Sequence, residues 1–381
     1  DLCFLSSGSH RIATASSAPV AIAKDGMESI TELPFTLGAL GMAYAGGLHP
    51  ARVMREVGRR LAAVDDPGIF IDRFSSEKLE AMAARLGLVA EFIETDWRRG
   101  ADVAAIGEAL AKDTQNRIKA VCVVHNETST GVTSDIAAVR RAIDTAGHPA
   151  LLMVDTISGL ASADYRHDEW GVDVTVGGAQ KGLMMPPGMS FNAVSDKALA
   201  ANKNSKLPKS FFAWDEMLAM NKVGFFPYTP ATQMLWGLDT AIEMLHEEGL
   251  DNVFARHDRL AEATRRAVKH WGLEIMVRDA KYYSPTVTAV MMPEGHDGDA
   301  FRNLALDTFN ISYGASFGPY VGKYFRIGHL GDTNDGTIIG ALANTEMALA
   351  LAGVPHKKGG VQVAMDYMVS AHGKPQRAAA E

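Results

Sequence analysis

The chain has 381 residues, of which 47% are apolar and 22% charged, and its formal net charge is −8. A chain of this size divides into two domains, or one large α/β domain with a smaller partner; the mixed charges exclude wholesale disorder, and without a long basic run there is no nucleic-acid footprint. No run of eighteen apolar residues offers a helical membrane span, and two distant cysteines, Cys3 and Cys122, make no disulfide framework and suit a reducing, cytoplasmic compartment.

The chain opens on Asp1 rather than Met, so a segment precedes it or has been removed. The apolar run Leu2–Leu5 is too short for a signal-peptide core, and no export signal is expected. The first seventy or so residues have no regular period: they are Ser-rich at 6–17, Gly-rich at 38–47, and amphipathic and charged at 51–64. Order begins near Lys78. Leu79–Leu86 has helical spacing and stops at Gly87, Val89–Ile93 reads as a strand, and Ala101–Ala111 reads as a helix.

The centre is the most regular part. Ile118–Val124 is a short apolar run of the kind buried on both faces of a sheet. Ser134–Ala146 is an amphipathic helix with cap chemistry at Ser134 and Asp135 and a stop at Gly147. Ala150–Val154 is a second buried strand ending at Asp155, and Val172–Val176 a third ending in Gly177-Gly178. Strand, helix, strand at this spacing predicts a parallel sheet with right-handed crossovers. In such sheets ligands bind beyond the carboxyl ends of the strands, where His125–Thr128, Asp155 and Gln180–Lys181 all fall. A long connection rich in aromatics and proline, 206–229, leads to a helix at Met234–Glu248. A smaller α+β unit then follows: a helix to Trp271, a strand at Thr286–Met292, a helix at Gly298–Phe309, a strand around Tyr324–Ile327 and a helix at Thr337–Leu351. The expected division is an N-terminal segment 1–77, a large domain 78–250 and a smaller C-terminal domain 251–381, whose last residues fray.

Two residues carry the chemistry. Lys181 stands just past a buried strand, between Gly177-Gly178-Ala179-Gln180 and Gly182, in apolar surroundings that lower an amine pKa; a partly neutral lysine is a nucleophile or forms a Schiff base. An exposed loop lysine is the plain alternative. Asp155 ends an apolar strand, where a carboxylate is costly unless paired. It is either a cap or turn residue, or a carboxylate held for a cationic partner such as the pyridinium nitrogen of pyridoxal phosphate (PLP). Coming from successive strands, Asp155 and Lys181 can reach one ligand.

In order and spacing, His125-Asn126-Glu127-Thr128-Ser129-Thr130-Gly131-Val132, Val154-Asp155, Gly178-Ala179-Gln180-Lys181-Gly182, Pro186-Pro187-Gly188, Phe226-Pro227-Tyr228-Thr229-Pro230 and Phe325-Arg326-Ile327-Gly328-His329-Leu330-Gly331 resemble the class V aminotransferases. The likeness is to the members that use glyoxylate and covers roughly residues 78–370. The resemblance implies fold type I of the PLP-dependent transferases, a mostly parallel α/β large domain with a smaller α+β domain. It also implies transamination from serine, alanine or aspartate to glyoxylate. Lys181 would bind PLP covalently and move the substrate's α-proton, and Asp155 would pair with the ring nitrogen. Thr128 and Gln180 would bond cofactor or substrate oxygens. Thr229, with Tyr228, would reach the phosphate of a neighbouring subunit in a homodimer, and Arg326 would clamp the substrate carboxylate with its fork. His125 and His329 have no metal-ligand spacing and are expected to be ordinary hydrogen-bonded histidines.

The family pattern is broken in two places. Ala179 replaces a usual serine. The phosphate cup, expected near Gly46-Gly47-Leu48, has no hydroxyl there, Ser7-Gly8-Ser9-His10 lies too early, and Phe74 is out of register for stacking on the ring. Either the N-terminus has diverged and makes its own phosphate contacts, or residues 1–77 are not the native frame and catalysis is impaired. A PLP lyase or cysteine desulfurase is disfavoured by Gln180, where desulfurases have histidine, and by the lack of a loop cysteine. A scaffold on the same fold would show no transamination. A nicotinamide dehydrogenase is disfavoured because no Gly-x-Gly-x-x-Gly follows a strand.

Overall fold

A computed structural model describes residues 11–16, 68–72, 86–93, 95–207 and 210–372. In chain order the strands of the large sheet are β1 (Arg11–Ser16), β2 (Gly68–Asp72), β3 (Val89–Ile93) and β4 (Ile118–Val124). A short hairpin, β5 (Asn126–Glu127) and β6 (Val132–Thr133), intervenes before β7 (Leu151–Asp155), β8 (Val174–Gly178) and β9 (Met189–Val194) complete the sheet. Its order is β1-β9-β8-β7-β4-β2-β3. All neighbouring pairs from β3 to β8 are parallel, whereas β9 runs antiparallel to both β8 and β1. Thus β1 and β2, from the stretch with no readable period, lie in the same sheet as the strands read from sequence. The helix expected at 79–86 falls outside the described residues except for Leu86.

Helices cover the sheet because alternate strand residues face opposite sides. Leu152 and Val154 of β7 are buried with Ile106 and Leu110 of α1 (Val103–Lys112) and with Ile136, Val139 and Ile143 of α2 (Ile136–Thr145). Leu151 and Met153 of the same strand pack with Val174, Trp214 and Met217. Asp135 caps α2 by accepting the Ala138 N–H at 2.8 Å, and Gly147 leaves the helix with φ +60°. The 206–229 connection is not a bare loop. After α3 (Asp196–Asn204), α4 (Trp214–Asn221) anchors it through Trp214 and Met217, two apolar residues one turn apart.

α5 (Thr232–Glu248) and α6 (Leu250–Trp271) meet at Gly249, whose φ of +79° turns the chain. The smaller unit pairs β10 (Val287–Met291) antiparallel with β11 (Tyr324–Gly328) and packs α7 (Gly298–Phe309), α8 (Asp335–Leu351) and α9 (Gly360–His372) around them. Its core joins Trp271, Phe301, Tyr313, Phe325 and Leu342.

α6 also ties down the loop that follows β11. The buried His257 donates from Nδ1 to the Val253 carbonyl (2.7 Å) and accepts the Gly331 N–H at Nε2 (3.0 Å). Arg256 grips Glu248 with Nε and Nη2 and donates from Nη1 to the carbonyls of Gly331 (2.8 Å) and Thr333 (3.0 Å). Burial, reinforced by the Arg256 charge and opposed by the Val253 carbonyl, pushes the His257 pKa down to about 4. The fold therefore holds this imidazole neutral. Between its ordinary value near 6.5 and about 4, the unfolded chain binds a proton that the folded chain refuses, so stability falls as pH falls through that window, by on the order of 3 kcal/mol. The expected result is a declining melting temperature from pH 6.5 to 4. His257→Gln, which can still accept the Gly331 N–H but does not titrate, should give a shallower decline by calorimetry; an identical slope would mean that His257 is not among the groups responsible.

Candidate active site

Register brings the site together. Val124 of β4 stands beside Asp155 of β7, and Asp155 beside Val176 of β8, so three strands end at one edge. The turns beyond them are stitched to one another. The His125 N–H donates to the Asp155 carbonyl (2.9 Å), the Thr156 N–H and hydroxyl both donate to the Val176 carbonyl (2.9 Å each), and the Thr128 and Ser158 hydroxyls share a hydrogen bond.

Asp155 is half-buried, and its Oδ1 accepts the Ile157 N–H at 2.8 Å. Burial raises its pKa, with the Ile157 bond opposing. Among the described residues it makes no ion pair. Such a carboxylate is costly to ionise until a cation arrives beside it.

Lys181 sits in a tight turn. The Met185 N–H closes onto the Ala179 carbonyl (3.2 Å), the Met184 N–H onto the Lys181 carbonyl (2.9 Å), and Met184 itself takes φ +59°. Ala179, wholly buried, donates its N–H to Met189 in β9. The turn lies on the segment that follows Asp155: a Cβ on Gly182 would stand 2.0 Å from the Leu160 carbonyl oxygen, and one on Gly177 would stand 2.6 Å from a Leu160 methyl. From the other side Gly331 abuts it, within 3.5 Å of the Lys181 carbonyl measured from a built Cβ. Burial, and then the nearby Arg326 charge, lower the pKa of the half-buried Lys181 amine. Among the described residues no carboxylate pairs with it.

Arg326, on β11, joins the two units. Its Nε donates to the Ala315 carbonyl (2.8 Å) and its Nη1 to the Thr128 carbonyl of the large domain (2.7 Å). Burial lowers its pKa, countered by Tyr324 and Glu127; a guanidinium nevertheless stays charged. The fork is thus partly committed to backbone, and Nη2 makes no hydrogen bond among the described residues.

Arg326 thus bonds Thr128 and lies near Lys181, while Asp155 ends β7 beside the turn that begins at His125. Gln180, next to Lys181, is exposed, with its Oε1 2.8 Å from where a Gly178 Cβ would stand. Tyr228 and Thr229 are on an exposed loop, whose residues 224–230 line an open concavity of about 730 Å3. The Tyr228 ring packs on Phe211, 4.7 Å between centroids. The suggested cup residues at 46–48 and 7–10, and Phe74, lie outside the described residues. His329 is hydrogen-bonded as expected, to Thr288 and to the Pro285 carbonyl. His125 departs from expectation: its Nδ1 is buried without a hydrogen bond among the described residues, and its ring packs near Tyr165 and Trp170, 5.1 and 5.9 Å between centroids.

Sequence reasoning passed over Asn126 and Ser158. Asn126 is 2% exposed and fully bonded. Its Nδ2 donates to the Ser158 carbonyl (3.2 Å) and the Thr286 hydroxyl (2.8 Å), and its Oδ1 accepts from Ser284 (2.6 Å) and Thr133 (3.2 Å). It fastens the strand ends to the entry of β10. Its signal was an amide directly after a buried strand, where an unpaired polar group would be costly.

The family model "Aminotransferase class-V" matches residues 76–322. The chain belongs to the class V aminotransferase family. It is 50% identical over 289 residues to a serine–glyoxylate aminotransferase of Hyphomicrobium methylovorum, covering 75% of this chain and 71% of that one. It is 42% identical over 300 residues to an L-aspartate–glyoxylate aminotransferase of Paracoccus denitrificans, covering 78% and 76%. Among solved structures it superposes on a ureidoglycine–glyoxylate aminotransferase from Bacillus subtilis with TM-score 0.72, 29% identity and coverage of 82% and 81%. The fold is fold type I of the PLP-dependent transferases, as the resemblance implied.

Because a Cβ at Gly182 would meet backbone rather than a movable side chain, Gly182→Ala should force the lysine turn off the Leu160–Ser162 segment. We expect a loss of about 1–3 kcal/mol in urea unfolding; unchanged stability would show that the turn relaxes freely.

Proposed function

We propose that this enzyme transfers the amino group of a small amino acid, with serine as the leading donor and alanine or aspartate next, to glyoxylate, using PLP. One observation carries the reading: past neighbouring strand ends stand an amine of lowered basicity near a charged guanidinium, and a carboxylate with no ion pair among the described residues. This donor set fits PLP, which offers an aldehyde for the amine and a ring nitrogen for the carboxylate. When bound, PLP supplies an electron sink conjugated to the substrate's α-carbon.

Within that reading the residues divide the work. Asp155 holds the positive charge on the ring nitrogen, and in return its own ionised form gains the cation that burial denies it. Lys181 Nζ would move the substrate's Cα proton to the cofactor and carry it back in the reverse half. Its depressed pKa brings it toward the working pH, where a general base is most effective. Arg326 binds the α-carboxylate through Nη1 and Nη2, while its bonds to Ala315 and Thr128 fix the plane of the fork. Thr128 and Gln180 offer hydrogen bonds to cofactor or substrate oxygens. Thr229 and Tyr228, on the exposed loop, would reach the phosphate of the neighbouring subunit in a homodimer. Residues 78–250 and 251–381 act as the two walls of the site. Two well-separated cysteines suit a cytoplasmic setting.

A donor and acceptor screen on protein reconstituted with PLP tests the proposal. Serine with glyoxylate should turn over and the protein should gain a visible absorption band. Lys181→Ala should lose the band and, with it, on the order of 10²–10⁴-fold in rate. A wild-type protein that stays colourless and takes up no PLP would refute the assignment.

A further inference from the structure

Beside Arg326 an aromatic side chain is displayed by a loop that is built to hold it. Phe317 is 39% exposed, yet the backbone around it is pinned at several points. Its N–H donates to the hydroxyl of the fully buried Tyr324 (3.0 Å). The next residue, Gly318, has φ +57°, and a Cβ there would stand 2.2 Å from the Trp97 ring. Ser316, nearly buried, accepts the Gly322 N–H at 2.8 Å, and the Ala315 carbonyl accepts from Arg326 itself. The outcome is a ring with the Arg326 guanidinium carbon 5.0 Å from its centroid.

We propose that Phe317 is a positioning residue for the substrate carboxylate, its ring face holding the plane of the Arg326 guanidinium while leaving the in-plane donors free. A half-buried guanidinium needs compensation for lost water, and a carboxylate neighbour would provide it by occupying the donors that the substrate needs. Glu127, whose charge acts on Arg326, accepts the N–H and hydroxyl of Ser129 at Oε1. A ring face attracts the cation through its quadrupole but accepts nothing in the guanidinium plane. Two backbone carbonyls and one ring then hold the fork, with no carboxylate hydrogen-bonded to it among the described residues.

The inference rests on the clamp role of Arg326 proposed above, so the test separates the two. The probe is propanoate, an unreactive monocarboxylate, titrated calorimetrically into the PLP-loaded enzyme, alongside kcat and KM for serine. Phe317→Leu keeps bulk and removes the ring face; Phe317→Tyr keeps both. For Phe317→Leu we expect about fivefold weaker propanoate binding and about fivefold higher KM, with kcat within about twofold, a size in keeping with a partly exposed cation–π contact. Phe317→Tyr should bind as the wild type does. In an Arg326→Ala background Phe317→Leu should add no further loss, because its effect runs through the guanidinium. Wild-type binding by Phe317→Leu, equal loss in Phe317→Tyr, or additive loss in the double variant would overturn the proposal while leaving the clamp intact. Unchanged propanoate binding in Arg326→Ala alone would overturn the clamp and this inference together.

Discussion

The site depends on the parallel register of β4, β7 and β8. Because Val124, Asp155 and Val176 lie side by side, the residues just past β4 and β7, His125 and Thr156, donate backbone N–H groups to the Asp155 and Val176 carbonyls of the neighbouring strands. A slip of one residue in β7 would turn Asp155 to the opposite face and bring Val154 into its place. The burial of Leu152 and Val154 against α1 and α2 opposes that slip. The hydrophobic core thus sets the orientation of the carboxylate.

The lysine turn shows the same economy from the backbone side. Gly177 and Gly182 let the chain press onto Leu160, so the residue that bears the amine is located by van der Waals contact with the segment leading away from Asp155. The Gly331 loop closes over the turn, and α6 fixes that loop through His257 and Arg256. The turn that carries the half-buried Lys181 is thus contacted by both Leu160 and Gly331.

Polar contacts are among those that join the two units near the strand ends. Asn126 ties Ser158 to Ser284 and Thr286, Arg326 ties Thr128 to Ala315, and Gly131, with φ +74°, lets the β5–β6 hairpin approach β10 so closely that a Cβ would stand 2.9 Å from the Val287 carbonyl. In the proposed reading these contacts border the place where substrate and cofactor meet. Relative motion of the domains would therefore alter the distance from the guanidinium to the carboxylate and the amine at once.

Local pattern determined much of this protein. The apolar runs at 118–124 and 150–154, the caps at Asp135 and Gly147, and the glycines around Lys181 could be read directly, since burial, capping and tight turns each demand particular residue types within a few positions. The Gly298–Phe309 helix and the motif carrying Arg326 were legible for the same reason. Strand β9, helix α4 inside the aromatic connection, and helix α9 had weaker local signals and owe their form to what they pack against. Only the tertiary structure decided that β1 and β2 enter the sheet, that Asn126 bonds across the domains, that Arg326 spends two donors on backbone, and that Phe317 lies over its guanidinium. Each of these joins residues far apart in the chain. Periodicity reports which face of an element is buried, and it carries no information about which distant partner that face, or a polar group on it, will meet.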